Sequence, residues 1–289
     1  MTNTSYFITD SEDGFGSCLV LQQMWSNDFV DLIKKENISV LRLSESAGWK
    51  GKDISFLEQL QGTDLRGVEV YAWDVKDLTP LQYLPRLETI GLQAEFTKAP
   101  DFSTFNNLTH LFLYWRPKAI TVFGCSGLQR LNIVNYPLED LKKLNNIAGL
   151  KHLQLTSKKL LSLAGIEALQ SLRNLDLAIC PKLESLSGIN KCQEIQFVEL
   201  ESCKKVSDVS SLGELSSLRE IVLTDCGKIK SLQSLAKCRL LESLIFAGDT
   251  NVEDGELTPL LDMPELKRMW FADKRHYSHK RAQVEAILS

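Results

Sequence analysis

An apolar skeleton of the form Leu-x-x-Leu-x-Leu recurs eleven times between Ile38 and Phe271, and it constrains the fold more than any other feature. Successive units start 20 to 27 residues apart, most often 22 or 23. A unit this short cannot bury its own apolar side chains, so neighbouring units must stack around one continuous core. The pattern therefore predicts a solenoid with a long sheet. The units start at Ile38, Leu65, Leu87, Leu108, Leu128, Leu150, Leu172, Ile195, Leu218, Leu241 and Leu266.

The alternation within each unit predicts which side of the strand faces the core. Side chains at the fourth and sixth positions share one side, and those at the third, fifth and seventh positions share the other. The fourth and sixth positions are apolar throughout the repeats. The odd-numbered positions are therefore expected to meet solvent or a partner.

Three consecutive units carry the resemblance to a known family most specifically: LRNLDLAICPKLESLSGINKCQEI, IQFVELESCKKVSDVSSLGELSSL and LREIVLTDCGKIKSLQSLAKCRLL. They resemble leucine-rich repeats of the short class, about 22 to 23 residues long, found in bacterial and phosphatase-regulator-like proteins. The resemblance covers residues 38–271 and is looser in units two to five, whose ninth positions hold Trp73, Glu95, Arg116 and Tyr136 instead of Asn or Cys. It implies an α/β solenoid, a right-handed superhelix with a concave parallel β-sheet and helical caps.

The two ends of a solenoid need caps, because they would otherwise expose the core. Ser26 followed by NDFVDLIKKEN predicts a capped helix with Phe29, Leu32 and Ile33 on one side. The C-terminal sequence HKRAQVEAILS predicts a second amphipathic helix. We therefore divide the chain into an N-terminal cap (1–37), leucine-rich repeats (38–271) and a C-terminal cap helix (272–289).

The seven cysteines are predicted to be structural and reduced. Cys180, Cys203 and Cys226 recur every 23 residues, and Cys192 and Cys238 occupy positions that favour apolar side chains. None belongs to a C-x-x-C pair of the zinc or redox type. Small buried thiols account for this pattern without a metal, a cofactor or a disulfide, and they favour a reducing compartment.

Composition and charge narrow the class of protein further. The net charge of −4 and the pI near 5.7 argue against a nucleic-acid surface, which needs a basic stripe. No apolar run approaches the length of a membrane span, and the start of the chain lacks a secretory signal pattern. The sequence therefore predicts a cytoplasmic protein.

Catalytic motifs are not visible, so we expect no enzyme activity. His110 and His152 occupy equivalent positions two repeats apart, about 10 Å by strand spacing, which is too far for one metal. No Ser/His/Asp or Cys/His arrangement occurs. The GFGS segment lacks the lysine of a phosphate loop and is expected to be a turn.

The odd-numbered strand positions carry aromatic and acidic side chains where a merely solvated sheet would favour Thr, Ser or Lys. Such aromatics either pack laterally along the sheet or form a protein-binding patch, since interfaces favour Tyr, Trp and Phe. The carboxylates would select a partner that presents Lys or Arg. The candidate binding residues are Glu69, Tyr71, Phe112, Tyr114, Trp115, Asn132, Asp176, Phe197, Glu199, Glu201, Glu220, Val222, Ile245 and Trp270.

These observations predict a non-catalytic module whose concave sheet holds one protein partner, for which the carboxylates favour a basic surface, without cofactor, nucleic acid or membrane. The resemblance to small, all-repeat bacterial intracellular proteins suggests an immunity protein that neutralises a toxin. A regulatory or scaffolding subunit of a signalling enzyme such as a phosphatase is the alternative. A host-directed effector or a ligase recognition subunit fits less well, because the chain contains no separate catalytic domain. The sequence does not indicate an oligomeric state.

Overall fold

Each repeat forms one short strand, a turn and, in most repeats, a 3₁₀ segment that returns the chain to the next strand. The computed structural model describes residues 5–288. Its strands are β1 (Tyr6–Asp10), β2 (Ser17–Leu21), β3 (Val40–Ser44), β4 (Gly67–Tyr71), β5 (Thr89–Gln93), β6 (His110–Tyr114), β7 (Arg130–Val134), β8 (His152–Thr156), β9 (Asn174–Ala178), β10 (Phe197–Glu201), β11 (Glu220–Thr224), β12 (Lys228–Ile229), β13 (Ser243–Ala247), β14 (Asn251–Val252) and β15 (Arg268–Phe271).

The helical segments are short. Three α-helices are present among the described residues: α1 (Asp28–Lys35), α2 (Thr258–Leu261) and α3 (Arg281–Leu288). The 3₁₀ segments are Ser55–Leu60, Thr79–Tyr83, Phe102–Thr104, Pro117–Gly124, Lys142–Leu144, Ile166–Ala168, Ile189–Lys191, Ser210–Glu214 and Gln233–Lys237. None of the helices within residues 5–288 has the length and apolar character needed to cross a membrane.

The structure falls into two units, Met1–Leu131 and Asn132–Ser289. In the first unit β1 pairs antiparallel with β2, and β2 to β6 then pair in parallel in chain order. In the second unit β8, β9, β10, β11, β13 and β15 pair in parallel in the same way. Strands β12 and β14 form a separate two-residue pair. Strand β7 spans the division between the units.

Strand register confirms the predicted phase of the repeats. In the second unit Leu175 pairs with Val198, and Val198 pairs with Ile221. All three are fully buried. In the first unit Leu41 and Val68 pair in the same way and are also fully buried. Equivalent positions therefore stack repeat upon repeat, and the predicted leucine-rich repeat solenoid fold is confirmed.

The turn after several strands requires a left-handed backbone conformation. Asn, Ser and Asp tolerate this conformation, but a β-branched residue is strained in it. Ile179 adopts it with a φ of 52° and leaves 52% of its surface exposed. The other residues of this kind that follow a strand directly are Asn135, Ser202 and Asp225.

All seven cysteines are buried and none forms a disulfide. Several of their thiols donate to a main-chain carbonyl of the preceding repeat. The sulfur–oxygen distance is 3.4 Å from Cys203 to Leu177 and 3.1 Å from Cys226 to Leu200. A leucine would fill these positions but could not satisfy the carbonyl. The thiols therefore help to join consecutive turns of the solenoid.

The N-terminal segment contains more structure than the sequence analysis predicts, since β1 and β2 precede α1. Helix α1 lies where a helix was expected, and it buries Phe29 and Ile33, while Leu32 is half-buried. The capping assignment was wrong: the cap residue is Asn27, which makes no side-chain cap bond. Ser26 instead donates to Asp28.

The C-terminal helix α3 packs against β15, the last strand of the second unit. Val284 is fully buried, whereas Ile287 leaves 52% of its surface exposed. Only part of the expected apolar stripe therefore meets the core. The division into an N-terminal cap, repeats and a C-terminal cap helix remains a proposal.

Candidate functional site

The sheet face is the side of the strands that carries the third, fifth and seventh repeat positions. Apart from Trp115, which follows β6, the predicted binding residues all occupy these positions. Most are half-buried, but three differ: Glu201 and Trp270 are exposed, and Glu69 is only 6% exposed. The two units place these residues in different surroundings.

Glu69 is committed to an ion pair inside the first unit. Its carboxylate accepts from the guanidinium of Arg42 on the neighbouring strand, and the two residues are paired in register. The side chains retain only 8% and 17% of their exposed surface. Burial raises the pKa of Glu69, while Arg42 opposes that shift. The expectation that Glu69 offers a free charge to a partner therefore does not fit its position.

The aromatic side chains of the first unit pack against each other. Tyr71 and Phe112 meet edge to face with ring centroids 5.8 Å apart. They flank Gly91, where an added Cβ would lie 2.5 Å from the Tyr71 hydroxyl. Glycine on the intervening strand therefore leaves the space in which these rings meet. This arrangement is lateral packing, the simpler of the two readings for aromatics on a sheet.

A second aromatic group lies at the ends of β4 and β6. Tyr114 meets Trp73 edge to face at 4.9 Å, and the Arg116 guanidinium lies 4.8 Å from the Tyr114 ring centroid. Trp115 points elsewhere and stacks on Phe123 at 5.4 Å. Trp115 and Tyr114 therefore belong to different aromatic contacts.

The N-terminal loop, defined as Ser11–Gly16 between β1 and β2, covers part of the sheet face of the first unit. Asp13 forms an ion pair with Arg130, with 2.9 Å between the charged atoms. Phe15 meets His110 edge to face, with centroids 4.9 Å apart. This face is therefore already occupied by the chain itself.

The second unit presents a different surface, dominated by the acidic cluster Asp176, Glu199, Glu201 and Glu220. Asp176 and Glu199 are directly opposite each other on β9 and β10. Glu220 lies on the next strand, opposite Phe197. Within residues 5–288, none of the four carboxylates forms an ion pair with Lys, Arg or His.

The pKa shifts in the cluster reflect this lack of neutralisation. Burial raises the pKa of Glu199, and the charges of Asp176, Glu201 and Glu220 raise it further. Burial also raises the pKa of Asp176; a hydrogen bond from Gln154 opposes the shift and Glu201 adds to it. The acidic cluster therefore holds several carboxylates close together at a cost in native-state stability.

Apolar side chains lie among these carboxylates. Val222 pairs with Glu199 on one side and with Ile245 on the other. Phe197, Val222 and Ile245 are all half-buried. Ile179 follows β9 directly and adds an exposed apolar side chain at the edge of the cluster. Exposed apolar groups bordered by charges have the composition of a protein interface.

Two further predicted residues have internal partners. Asn132 donates to Gln154 at 2.5 Å, and Gln154 donates to Asp176 at 2.6 Å, so a chain of amides leads to the acidic cluster. Trp270 on β15 is 39% exposed, and the Arg281 guanidinium lies 5.6 Å from its ring centroid. Asn132 therefore supports the cluster, while Trp270 lies beside the C-terminal helix.

Sequence reasoning missed Ile179 and the N-terminal loop. Ile179 could have been found, because it occupies the eighth repeat position where the next two units hold Ser202 and Asp225. The contacts of the loop could not, because Asp13 and Arg130 are 117 residues apart in sequence. No periodicity connects residues at that separation.

Comparison with known proteins identifies the fold. Neither a family model nor a curated protein sequence matches the chain. It is similar in structure to the internalin InlF of Listeria monocytogenes, with 16% identity over 86% of this chain and 73% of that chain and a TM-score of 0.60. The functional domain of InlJ from the same organism, which includes a cysteine ladder, is 15% identical over 92% of this chain and 61% of that chain, with a TM-score of 0.59. The plant peptide hormone receptor RGFR1, solved in complex with RGF2, is 15% identical over 94% of this chain and 52% of that chain, with a TM-score of 0.50.

At these identities the comparisons establish a shared fold. The parallel strands in register, the short period and the structural neighbours agree, so the chain has the leucine-rich repeat fold of bacterial type.

Proposed function

We propose that this chain is a non-catalytic protein-binding module, and that the sheet face of residues 132–289 holds a partner with a basic surface. The observation that carries the proposal is the acidic cluster, whose carboxylates have no cationic partner within residues 5–288. Apolar side chains of Phe197, Val222 and Ile245 lie among them. A partner presenting Lys or Arg around an apolar centre complements both features.

Ile179 supports this location for the interface. Its left-handed backbone would be more stable with Asn, Ser or Asp, which the chain uses at other turns of this kind. Strained residues with exposed side chains cluster at functional sites. A partner that covers the side chain of Ile179 beside Glu201 would explain why an apolar residue occupies this conformation.

The structural neighbours favour a binding role in general terms, since one of them is a plant peptide hormone receptor solved in complex with RGF2. For this chain the specific role we propose is that of an immunity protein, which occludes a basic toxin with its acidic sheet face. A regulatory subunit of a signalling enzyme such as a phosphatase is the alternative. Identification of the captured partner separates the two roles.

The proposal is tested by capture from extracts of the native cell with matched bait variants. Phe197→Ala should weaken binding of the specific partner by about 2 kcal/mol or more, because a few residues, often aromatic ones, dominate the binding energy of an interface. Glu199→Lys should reduce association by placing a like charge against the basic partner. Lys204→Glu, at an exposed position outside the strands, is the matched control and should retain the partner.

A specific partner is a protein retained by wild type and by Lys204→Glu but lost with both sheet-face variants. A toxin among such proteins would support the immunity role, and an enzyme subunit would support regulation. If every captured protein binds all four baits equally well, the acidic sheet face is not the binding surface.

The effect of the acidic cluster on the free energy of unfolding should also be measurable in the absence of a partner. Glu199→Gln is expected to raise the free energy of unfolding by about 0.5 kcal/mol at pH 7, because directly opposed like charges destabilise a sheet. The pKa of Glu199 is raised in the native state, so its contribution to stability is present at low pH and is lost as pH rises through that pKa. The gain from Glu199→Gln should therefore disappear below about pH 4.

Chemical denaturation at several pH values measures this effect. Glu194 lies on the loop before β10, is exposed and is outside the cluster, so Glu194→Gln is the matched control and should change stability little at any pH. Equal effects of the two substitutions at pH 7 would contradict the electrostatic account of the cluster.

A further inference from the structure

The N-terminal loop has a defined conformation of its own. The Ser11 hydroxyl accepts from the main-chain N–H of Phe15 at 2.6 Å, and the Ser11 N–H donates to the Gly16 carbonyl at 2.8 Å. Gly14 and Gly16 adopt positive φ values of 74° and 101°, which glycine tolerates. The loop therefore presents its side chains in a fixed arrangement.

Phe15 is the apolar anchor of the loop. It is 7% exposed and packs with Cys18, Val20 and Val40 on the sheet face of β2 and β3. Its ring meets His110 edge to face, and the Arg66 guanidinium lies 5.2 Å from the ring centroid. An apolar bed below and a cation beside the ring are features of a binding pocket for an aromatic side chain.

Two carboxylates of the loop meet two arginines of the sheet face. Glu12 approaches Arg42 to 3.0 Å, and Asp13 approaches Arg130 to 2.9 Å. Glu12 leaves 79% of its side chain exposed, and Arg130 leaves 49% exposed, so salt weakens both contacts. One buried ring and two ion pairs, each with one well-exposed partner, hold the loop, so its local opening costs less than unfolding of the repeats.

We infer that the N-terminal loop is a displaceable intramolecular ligand, and that the sheet face around Arg42, Arg66, His110 and Arg130 is a binding site for an acidic segment carrying an aromatic residue. The chemistry of the partner is the chemistry of the loop: two adjacent carboxylates followed two residues later by an aromatic ring. A protein segment of this kind binds when the loop leaves. This site lies within residues 1–131 and does not depend on the acidic cluster proposed above.

Cys18 reports whether the loop is closed. It lies on β2 in the same apolar group as Phe15, and it is fully buried. Burial raises the pKa of its thiol to about 12, with a further contribution from Glu69. When the loop opens, Cys18 loses the cover of Phe15 and becomes reactive. Cys203 lies in the interior of the repeats, where thiol reagents reach it only after larger unfolding.

The first test follows labelling of Cys18 in the folded full chain by a thiol reagent, with mass spectrometry of the labelled peptides. Cys18 should react faster than Cys203, and Phe15→Ala should accelerate labelling of Cys18 by about tenfold or more, since the buried ring is lost. The double variant Glu12→Gln/Asp13→Asn should accelerate it by a smaller factor. Ile120→Ala, which removes an apolar side chain exposed by 49% on the 3₁₀ segment Pro117–Gly124, is the control and should leave the rate unchanged.

The second test measures binding of a fluorescent synthetic peptide, residues Asp10–Ser17, by anisotropy. The Phe15→Ala protein should bind the peptide at least about tenfold more tightly than wild type, whose closed loop competes for the site. The same peptide carrying Phe15→Ala should bind weakly, and an added Arg130→Ala in the protein should weaken binding of the native peptide.

Labelling of Cys18 no faster than Cys203 in wild type and in both loop variants would overturn the inference. The inference would also be overturned if a loop variant bound the two peptides equally well while its Cys203 stayed protected, since that protection shows that the variant is folded. If Phe15→Ala exposes Cys203, the double variant replaces it in both tests. Neither test involves the acidic cluster, so failure here would leave the proposed function standing.

Discussion

Replacing Leu175 by alanine is expected to lower the free energy of unfolding by about 2 to 5 kcal/mol. Leu175 is fully buried and pairs in register with Val198 of the next strand. Its neighbours are held by the strands on either side, so the structure can relax only partly into the cavity. Equilibrium denaturation of the purified protein measures the change.

Leu161→Ala is the matched control for this prediction, because Leu161 leaves 40% of its surface exposed. Its truncation should cost much less than that of Leu175. Two variants of equal stability would mean that the buried leucines of the repeats do not bear the stability of the fold.

Arg42→Met is expected to destabilise the protein by about 3 kcal/mol at pH 7, because removal of one partner from a buried ion pair leaves the other charge uncompensated. Glu69 would remain with 8% of its side chain exposed and would lose its hydrogen-bond donor. Burial already raises the pKa of Glu69 in the wild type. The loss in stability should therefore shrink as the pH falls and Glu69 takes up a proton.

Two companion variants separate this pair from the contact with the N-terminal loop. Glu12→Gln removes only the exposed contact to Arg42 and should cost about 0 to 1 kcal/mol. The double variant Arg42→Met/Glu69→Leu should recover much of the stability, since an apolar pair can replace a buried ion pair. A double variant less stable than Arg42→Met would show that Glu69 is not left unpaired by the single change.

The repeats could be predicted because the physical rule behind them is local. An apolar side chain at the fourth and sixth positions of each unit fixes the strand and its buried side, as the stacking of Leu175 on Val198 shows. The same alternation placed the acidic cluster on the opposite side of the strands. The alternation did not predict which side chains on that side of the strands would interact with each other.

Glu69 illustrates the limit. The sequence gives Glu69 and Glu199 the same repeat position, the fifth, yet one is buried against Arg42 and the other belongs to an unneutralised cluster. The difference depends on the residue in register on the adjacent strand, Arg42 or Asp176. The position in the repeat predicts which residues are in register only when the sequences of consecutive units are aligned with each other.

The strand β2 was missed for another reason. The segment Ser17–Leu21 is apolar at four successive positions, so it shows no alternation. Both of its sides are covered, because the N-terminal loop packs Phe15 against Cys18 and Val20. A strand buried on both sides cannot be distinguished by periodicity from other short apolar segments.

The in-register stacking of the strands in residues 132–289 gives a fixed spacing to the side chains that a bound partner would contact. Parallel strands are about 4.8 Å apart. A peptide in the polyproline II conformation advances about 3.1 Å per residue and has about three residues per turn. Three peptide residues therefore span roughly the same distance as two strand spacings, about 10 Å in each case. In a bound segment of this kind running across β9, β10 and β11, the side chains of every third residue would face the sheet together. Basic residues spaced by three along the segment would then lie over strands two apart, such as β9 with Asp176 and β11 with Glu220.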